Sequence, residues 1–357
     1  MDKKKSIQLI ERLSNAHGIS GFEDEVAGIF TDAVKPFSSV EEDHMRNVYA
    51  ARNGNNGARP VVQLDAHSDE VGFMVQAVKP NGMLRFVTVG GWVRANIPAH
   101  KVRVRNRDGQ YISGIIASTP PHFMTAEERK RLPEVSEMVI DVGATSAEEA
   151  VRDFKIDIGA PVVPDVTFEY NEAKGLMLGK AFDNRIGTAV MAEVLKELDG
   201  SDLDIDVVAS LSAQEEVGER GAQVAMKKIN ADVSIVFEGA PADDTVMPEY
   251  MIQTGLKRGP MLRHFDSSII VNPRFQKFCL DLASEKRIPT QQSVRSGGGN
   301  DGAVINLYHG APTVVISVPV RYAHTSYCFV AYEDFVSAVK LTVDVLKKLN
   351  ADVIERF

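Results

Sequence analysis

Short apolar runs alternate with helical patterns along most of this chain, and several of the runs stop at a histidine or an acid. Helical periodicity over residues 4–16 and 22–34 leads into the strands NVYAAR and PVVQLDAH, which the turn NGNNG separates. After residue 165 the alternation resumes. Helices are expected at 184–198, 220–229, 273–287 and 332–349, with strands at 205–213, 233–237 and 313–318. Such alternation implies an α/β fold: a mostly parallel sheet with helices on both faces.

Between these stretches the texture changes. VGFMVQAV, MLRFVTVGG, KVRVR and QYISGIIAS are short β-type runs broken by the turns KPNG and NRDG. Helical character returns only at TSAEEAVRDF, where Thr145 and Glu148 fit a capping box. The economical reading is one α/β domain, 1–71 and 165–357, interrupted by an inserted small β-barrel-like domain, 72–164.

The insert begins with seven Lys or Arg and no acid between Val71 and Arg107, and Lys101, Arg103, Arg105 and Arg107 fall on one strand face. Nucleic acid is one reading of such a face, but the aromatic residues that stacking platforms need are sparse there. A solvated or subunit-facing surface is the alternative. The chain as a whole has 40 basic and 49 acidic residues, net −9, which argues against nucleic acid or anionic membrane as the main partner. Cys279 and Cys328 are too few for a disulfide framework and suit a reducing compartment. Glu11 and Arg12 interrupt the only signal-like apolar run near the start, and no stretch approaches the ~20 apolar residues of a membrane span. A cytoplasmic location is expected.

Ligands of open parallel sheets bind beyond the carboxyl ends of the strands, so the residues there matter most. His67 and Asp69 follow PVVQLDAH, Glu215 and Glu216 follow the 205–213 run, and Glu238 follows VSIVF. His324 follows the 313–318 strand, and Asp183 opens the helix that starts DNRIG. Singly each has an ordinary explanation. Asp183 suits an N-cap, Asp69 a turn, the histidines a structural role, and the two glutamates a solvated pair. Together they bring ligand-type side chains to one rim. Adjacent carboxylates resist burial unless something compensates them. Two divalent cations would do so, balancing three ligand carboxylates and a bridging hydroxide and leaving the other glutamate to handle protons. Imidazole with carboxylate favours zinc, cobalt or manganese over calcium.

The stretches DAHSDEVGFMV, AFDNRIGTAV, SAQEEVGERGA, VFEG and RYAHTS occur in the order seen in the M42 metallo-aminopeptidases, and the chain resembles that family over most of its length. The resemblance implies a zinc-exopeptidase-like fold and a dinuclear centre bridged by Asp183. His67 and Glu238 would complete one metal, Glu216 and His324 the other. Glu215 would be the general base acting on a metal-bridging hydroxide, and Asp69 would hold the His67 tautomer. Some family members carry aspartate at the Glu238 position, and Asp243 or Asp244 lies close by. It also implies N-terminal cleavage of short peptides, two zinc or cobalt ions per subunit, and a homo-oligomer, in this family a tetrahedral dodecamer, with the insert supplying contacts.

Other readings stand beside it. A related deacylase would accept N-acyl amino acids, and a non-catalytic protein would hold structural metals. A glycosidase would need its acids ~5–9.5 Å apart across a sugar bond, which adjacent residues serve poorly. The RSGGGND stretch, 295–301, suits an anion-cradling turn but lacks the lysine and hydroxyl of a phosphate loop. The resemblance makes it a substrate-facing loop, with Asp301 and Arg321 as candidate positioning residues. Arg258, Arg263, His264 and Arg295 lie in loops, and a pocket lined by them would favour acidic side chains.

Overall fold

A computed structural model describes residues 1–357. Its main sheet has eight strands in the spatial order Ser38–Glu42, Val48–Arg52, Asp206–Ser212, Val61–His67, Val233–Pro241, Thr313–Val320, Met261–Phe265 and Gln291–Val294. Four central strands, from 206–212 across to 313–320, are mutually parallel. Antiparallel pairings lie to either side of them. Valine and isoleucine dominate the central strands, as a pleated, covered surface favours.

The two faces of this sheet differ chemically. Val62, Leu64, Ala66, Val207, Ala209, Leu211, Ile235 and Phe237 belong to a core of 49 buried residues. Helices Lys3–Asn15, Asp24–Val34, Phe182–Glu197 and Tyr332–Lys348 supply much of the rest. Side chains alternate along a strand, so Gln63, Asp65 and His67, Ser210 and Ser212, and Ser234 and Glu238 face the other way. These are also buried. Helices Arg220–Ile229 and Gly302–Leu307 cover that face, around a smaller apolar cluster containing Ala222, Val236, Ala303 and Val315. One face is thus an apolar core and the other a partly polar layer that leads to the sheet's carboxyl rim.

Residues 72–164 hold a closed six-stranded barrel in the order Gly72–Val78, Leu84–Val89, Ile140–Asp141, Tyr111–Ile116, Lys101–Arg105 and Pro161–Pro164. It has its own core, which includes Phe73, Phe86, Val102 and Ile116. The basic run is paired within the chain: Lys101 and Arg103 both reach Asp165, and Arg107 reaches Asp157. Helix Ala147–Arg152 starts one residue later than its capping pattern suggests. Ser146 accepts from the Glu149 N–H, and the Thr145 N–H and hydroxyl donate to the Glu149 carboxylate. Ser146 has the extended backbone of a cap residue, which shifts the pair from Thr145–Glu148 to the next position.

Several strands lack a sequence signal of their own. Ser38–Glu42, Met261–Phe265 and Gln291–Val294 lie at or near sheet edges, where polar side chains are tolerated; Glu169–Asn171 and Leu176–Gly179 pair with Cys328–Ala331 in a separate three-stranded sheet. No helix is long and apolar enough to cross a membrane.

Candidate metal centre

Strand register brings the first residues together. Ser212 pairs with His67, and Asp65 pairs with Val236, so His67 and Glu238 stand level at the rim. Glu215 and Glu216 lie just beyond Ser212 in a single turn of 3-10 helix. Asp183 comes from the start of Phe182–Glu197, where its backbone is not yet helical and its side chain makes no capping bond. It lies between two imidazoles instead: His67 Nε2 is 3.2 Å from Asp183 Oδ1, and His324 Nε2 is 3.3 Å from Asp183 Oδ2. Glu238 is 3.8 Å and Glu215 3.9 Å from His67 Nε2, while Glu216 is 3.5 Å from His324 Nε2.

The turns that present these groups are strained. Ala181, Gln214, Glu219, Tyr322 and His324 all have left-handed backbone despite carrying side chains. Each is a candidate ligand, lies within two residues of one, or lines the adjoining cavity. Such strain persists only where surrounding contacts hold it. Here Glu23, itself buried, accepts the Gln214 N–H and the Gly21 N–H. Asp69 does more than face His67. Its carboxylate accepts the N–H groups of both Glu215 and Glu216 and the Ser20 hydroxyl. His67 Nδ1 lies 3.2 Å from the Asp69 carbonyl and 3.4 Å from its carboxylate. One buried aspartate therefore orients the imidazole and the glutamate turn together.

The electrostatics are those of crowded carboxylates. Burial pushes Glu215 up to about 7, partly offset by His67. Burial also raises Glu216 and Glu238 well above the carboxylate range. It opposes charge on His324 too, but the Asp183 hydrogen bond and the Glu216 charge outweigh it and push that imidazole up to about 10. Burial likewise acts against a raised His67, and Glu215, Asp183 and Asp69 overcome it. Asp183 is held below its ordinary range: its two histidine partners outweigh its burial.

These residues fit divalent metals. Glu216 Oε1 and Glu238 Oε1 are buried and accept no hydrogen bond. One donor atom each from His67, Glu215 and Glu238 lies within 4.8 Å of the others, and the same holds for His67, Asp183 and Glu216. Separations of 3.2–3.9 Å between donor atoms are near the roughly 3.3 Å edge of a tetrahedral site with ~2.0–2.1 Å bonds. Proximity alone groups Glu215 with the ligands. Asp183 is distinguished from the other carboxylates by having one oxygen near each imidazole.

A cavity of about 610 Å³ opens over the cluster. His67, Asp183, Glu215, Glu216, Glu238 and His324 line one side, with Glu219, Arg263, Arg295 and Gly297–Gly299 elsewhere on its wall. Asp243 and Asp244 are engaged away from the imidazoles, Asp243 with the N–H groups of Gln253 and Thr254 and Asp244 with Arg321. Asp301 is wholly buried, and neither it nor Arg321 lines the cavity. Arg258 and His264 do not line it either. Sequence reasoning missed Ser20, Glu23 and Glu219, and also the insert's Gly90–Gly91 turn. A side chain at Gly91 would come within 3.2 Å of His324 Nδ1, and one at Gly90 within 3.3 Å of Glu216. These contacts join segments distant in the chain, so no local pattern marks them.

Comparison with known proteins gives a consistent family. The model for M42 glutamyl aminopeptidases matches residues 46–341. The chain is 34% identical to FrvX of Escherichia coli (strain K12) over 356 residues, 99% of this chain and 98% of that protein. It is 30% identical to the lysyl aminopeptidase of Pyrococcus furiosus, over 96% of this chain and 97% of that one. The TET aminopeptidase of the marine sediment archaeon Thaumarchaeota archaeon SCGC AB-539-E09 superposes with a TM-score of 0.94 at 36% identity, covering 99% of both chains. The TET1 peptidase of Pyrococcus horikoshii, which can assemble into a tetrahedron or a large octahedral shell, superposes with a TM-score of 0.86 at 25% identity, covering 96% of this chain and all of that one.

Proposed function

The chain belongs to the M42 glutamyl aminopeptidase family of peptide hydrolases, and from that premise we propose that it removes the N-terminal residue of short peptides at a centre holding two divalent cations, zinc or cobalt. The carrying observation is the carboxylate of Asp183 set between the Nε2 atoms of His67 and His324. His67, Glu238 and Asp183 would hold one ion, and Asp183, Glu216 and His324 the other. Bound there, such a pair lowers the pKa of water and polarises a carbonyl.

The chain's own groups supply the rest. Glu215, raised to about 7 by burial, exchanges protons near neutral pH. Its carboxylate takes a proton from the attacking water and delivers it to the departing amine nitrogen. Asp69 holds Glu215 in place through its N–H and keeps Nδ1 of His67 occupied, leaving Nε2 free as a ligand. For the assembly, we read the inserted barrel as a subunit-contact domain of a homo-oligomer, since Phe123 and Ile115 expose apolar surface on it. Two buried, unpaired cysteines suit a reducing cytoplasm.

The test is hydrolysis of peptide pairs with free and N-acetylated termini, after chelation and add-back of zinc or cobalt. Metal-restored cleavage of the free-amine set alone is expected. Glu215→Gln should keep both metals and lose at least about two powers of ten in rate. Cleavage of the blocked set would point to a deacylase, and near-normal turnover in the variant would remove Glu215 from the proton path.

A further inference from the structure

Four consecutive backbone N–H groups, from Ala213 to Glu216, each donate to a side-chain oxygen of a distant segment. Ala213 donates to Asn47 Oδ1 at 2.8 Å and Gln214 to Glu23 Oε1 at 3.2 Å. Glu215 and Glu216 donate to the two oxygens of Asp69, at 3.0 and 3.2 Å. Of these three acceptors, Asn47 also holds the far end of the turn, where its Nδ2 donates to the Gly221 carbonyl at 3.2 Å. Within the aminopeptidase reading above, on which this inference rests, we propose that Asn47 is a positioning residue for Glu215, fixing the neck of the turn that carries the base.

The neck is built around one carboxamide. Strand Val48–Arg52 pairs antiparallel with Asp206–Ser212 as far as the Val48–Leu211 pair. There the backbone ladder stops, and the side chain of Asn47 carries the contact on to Ala213 and Gly221. The Gly221 N–H donates to the Ala213 carbonyl at 2.8 Å and closes the turn on itself. A Cβ on Gly221 would lie 2.3 Å from the Ala213 oxygen and 2.4 Å from Asn47 Oδ1, so the neck has no slack. Asn47 is wholly buried, and its amide is fixed from behind: Nδ2 also donates to Asp43 Oδ2 at 2.9 Å. The other oxygen of Asp43 accepts the N–H groups of Met45 and Asn47, at 2.8 and 3.1 Å. The position needs an acceptor and a donor on one short side chain. Aspartate would keep the bond to Ala213, lose the one to Gly221 and face the Asp43 carboxylate. Alanine would lose all of them.

Glu215 and Glu216 occupy a single 3-10 turn between Gln214 and Gly218, both left-handed. Backbone of that kind keeps its shape only where contacts over-determine it. Asp69 and Glu23 bond Gln214, Glu215 and Glu216 but not the neck, so without Asn47 the turn would be free to pivot about them. A pivot moves both carboxylates relative to His67 and Asp183, which stand on other elements. Tyr49 supplies the contrast. Its hydroxyl donates to Asp43 at 2.7 Å and bonds neither Ala213 nor Gly221.

The experiment measures kcat and KM on Leu-Ala at saturating zinc or cobalt, with a melting temperature for each variant. Asn47→Ala should lower kcat about ten- to a hundredfold, the scale of an ångström-sized misplacement, with KM nearly unchanged. Asn47→Asp should do no better. The double variant Asp43→Asn/Asn47→Asp restores a donor–acceptor pair between the two side chains and keeps the Ala213 bond, and should recover part of the lost kcat. Tyr49→Phe should lower the melting temperature and leave kcat near wild type. Wild-type kcat in Asn47→Ala overturns the proposal, and so does an equal fall of kcat in Tyr49→Phe, which would mean that the network supports the fold alone. Should Asn47→Ala not fold, equal kcat in Asn47→Asp and the double variant overturns it. If the wild-type protein cleaves no free-amine peptide, the aminopeptidase reading fails by itself. Amide hydrogen exchange over residues 213–216 in chelated protein still tests Asn47: exchange should speed up in Asn47→Asp and slow again in the double variant, and unchanged exchange overturns the positioning role.

Discussion

Glu238 and Asp183 reach the candidate centre from different elements, and a residue without a side chain keeps them at their spacing. Gly239 follows Glu238 on its strand and packs against the Phe182–Asp183 backbone. A Cβ there would lie 2.4 Å from the Phe182 carbonyl oxygen, 2.8 Å from Asp183 Cα and 2.9 Å from Asp183 N. Ordinary contact begins near 3.4 Å, so Gly239→Ala must part the strand and the loop by about 1 Å. Neither side can yield freely. The Asn184 amide donates to the Phe237 carbonyl at 2.7 Å, and both elements sit in the main core. Overpacking of this kind costs about 1–3 kcal/mol, and a 1 Å error in placing reacting groups lowers rate about a hundredfold. The expected variant folds with a lower melting temperature, retains less than two metals per chain after gel filtration, and has kcat reduced by about two powers of ten. Gly28→Ala is the control. It sits in helix Asp24–Val34 with no atom within 4 Å of the added carbon, and should gain up to about 1 kcal/mol with kcat unchanged. Full metal content and wild-type kcat in Gly239→Ala would refute the claim that this contact sets the ligand geometry.

Two further predictions concern stability. Lys180 and Arg185, both buried, share Glu70, Lys180 at 2.5 Å and Arg185 at 3.3 Å, and both also donate to the Ala16 carbonyl. Glu70→Gln leaves two buried cations without an anion and should destabilise by about 3–5 kcal/mol; Lys180→Met leaves a neutral Arg185–Glu70 pair and should cost less. Urea titration of both variants checks the order, and the reverse order would refute it. The second prediction is a pH dependence. Burial pushes Asp334 up to about 6 against the Lys257 and Gly259 N–H groups that bond it, whereas the unfolded value is about 3.9. The folded state then binds the proton more tightly, so this residue's contribution falls as pH rises from about 4 to 6, by at most about 3 kcal/mol. Asp334→Asn should remove that part of the slope in urea titrations of chelated protein at pH 4.5 and 7. An unchanged slope would show that the two N–H bonds outweigh burial and keep the carboxylate ionised.

The parts of the fold legible in the sequence share a physical cause. A strand covered on both faces in a parallel sheet must be an apolar run, and a ligand-type residue at its carboxyl end interrupts that run, so His67, Glu215, Glu216, Glu238 and His324 each stand at a local contrast. Asp183 was legible as a helix opening, although its unwound backbone turns the carboxylate to two histidines and away from the helix's own N–H groups. The edge strand SSVEE carries no such contrast, because one side of it meets water and charged residues cost little there.

What supports the ligands is legible nowhere locally. Ser20 and Glu23 precede the glutamate turn by almost two hundred residues, yet through Asp69 and Gln214 they fix where Glu215 and Glu216 point. Asp65 hides within an apolar strand, two residues behind His67, where its Oδ2 accepts the hydroxyls of Ser210 and Ser212 on the neighbouring strand. Nor could the run of residues tell which loop arginines turn inward: Arg295 is selected by the Pro241 carbonyl and the Thr254 hydroxyl, and Arg258 and His264 are left outside. The candidate ligands follow from where strands end, whereas their aim follows from which distant groups make the last hydrogen bonds. Substitutions at those distant groups should therefore alter metal retention while leaving every ligand in place.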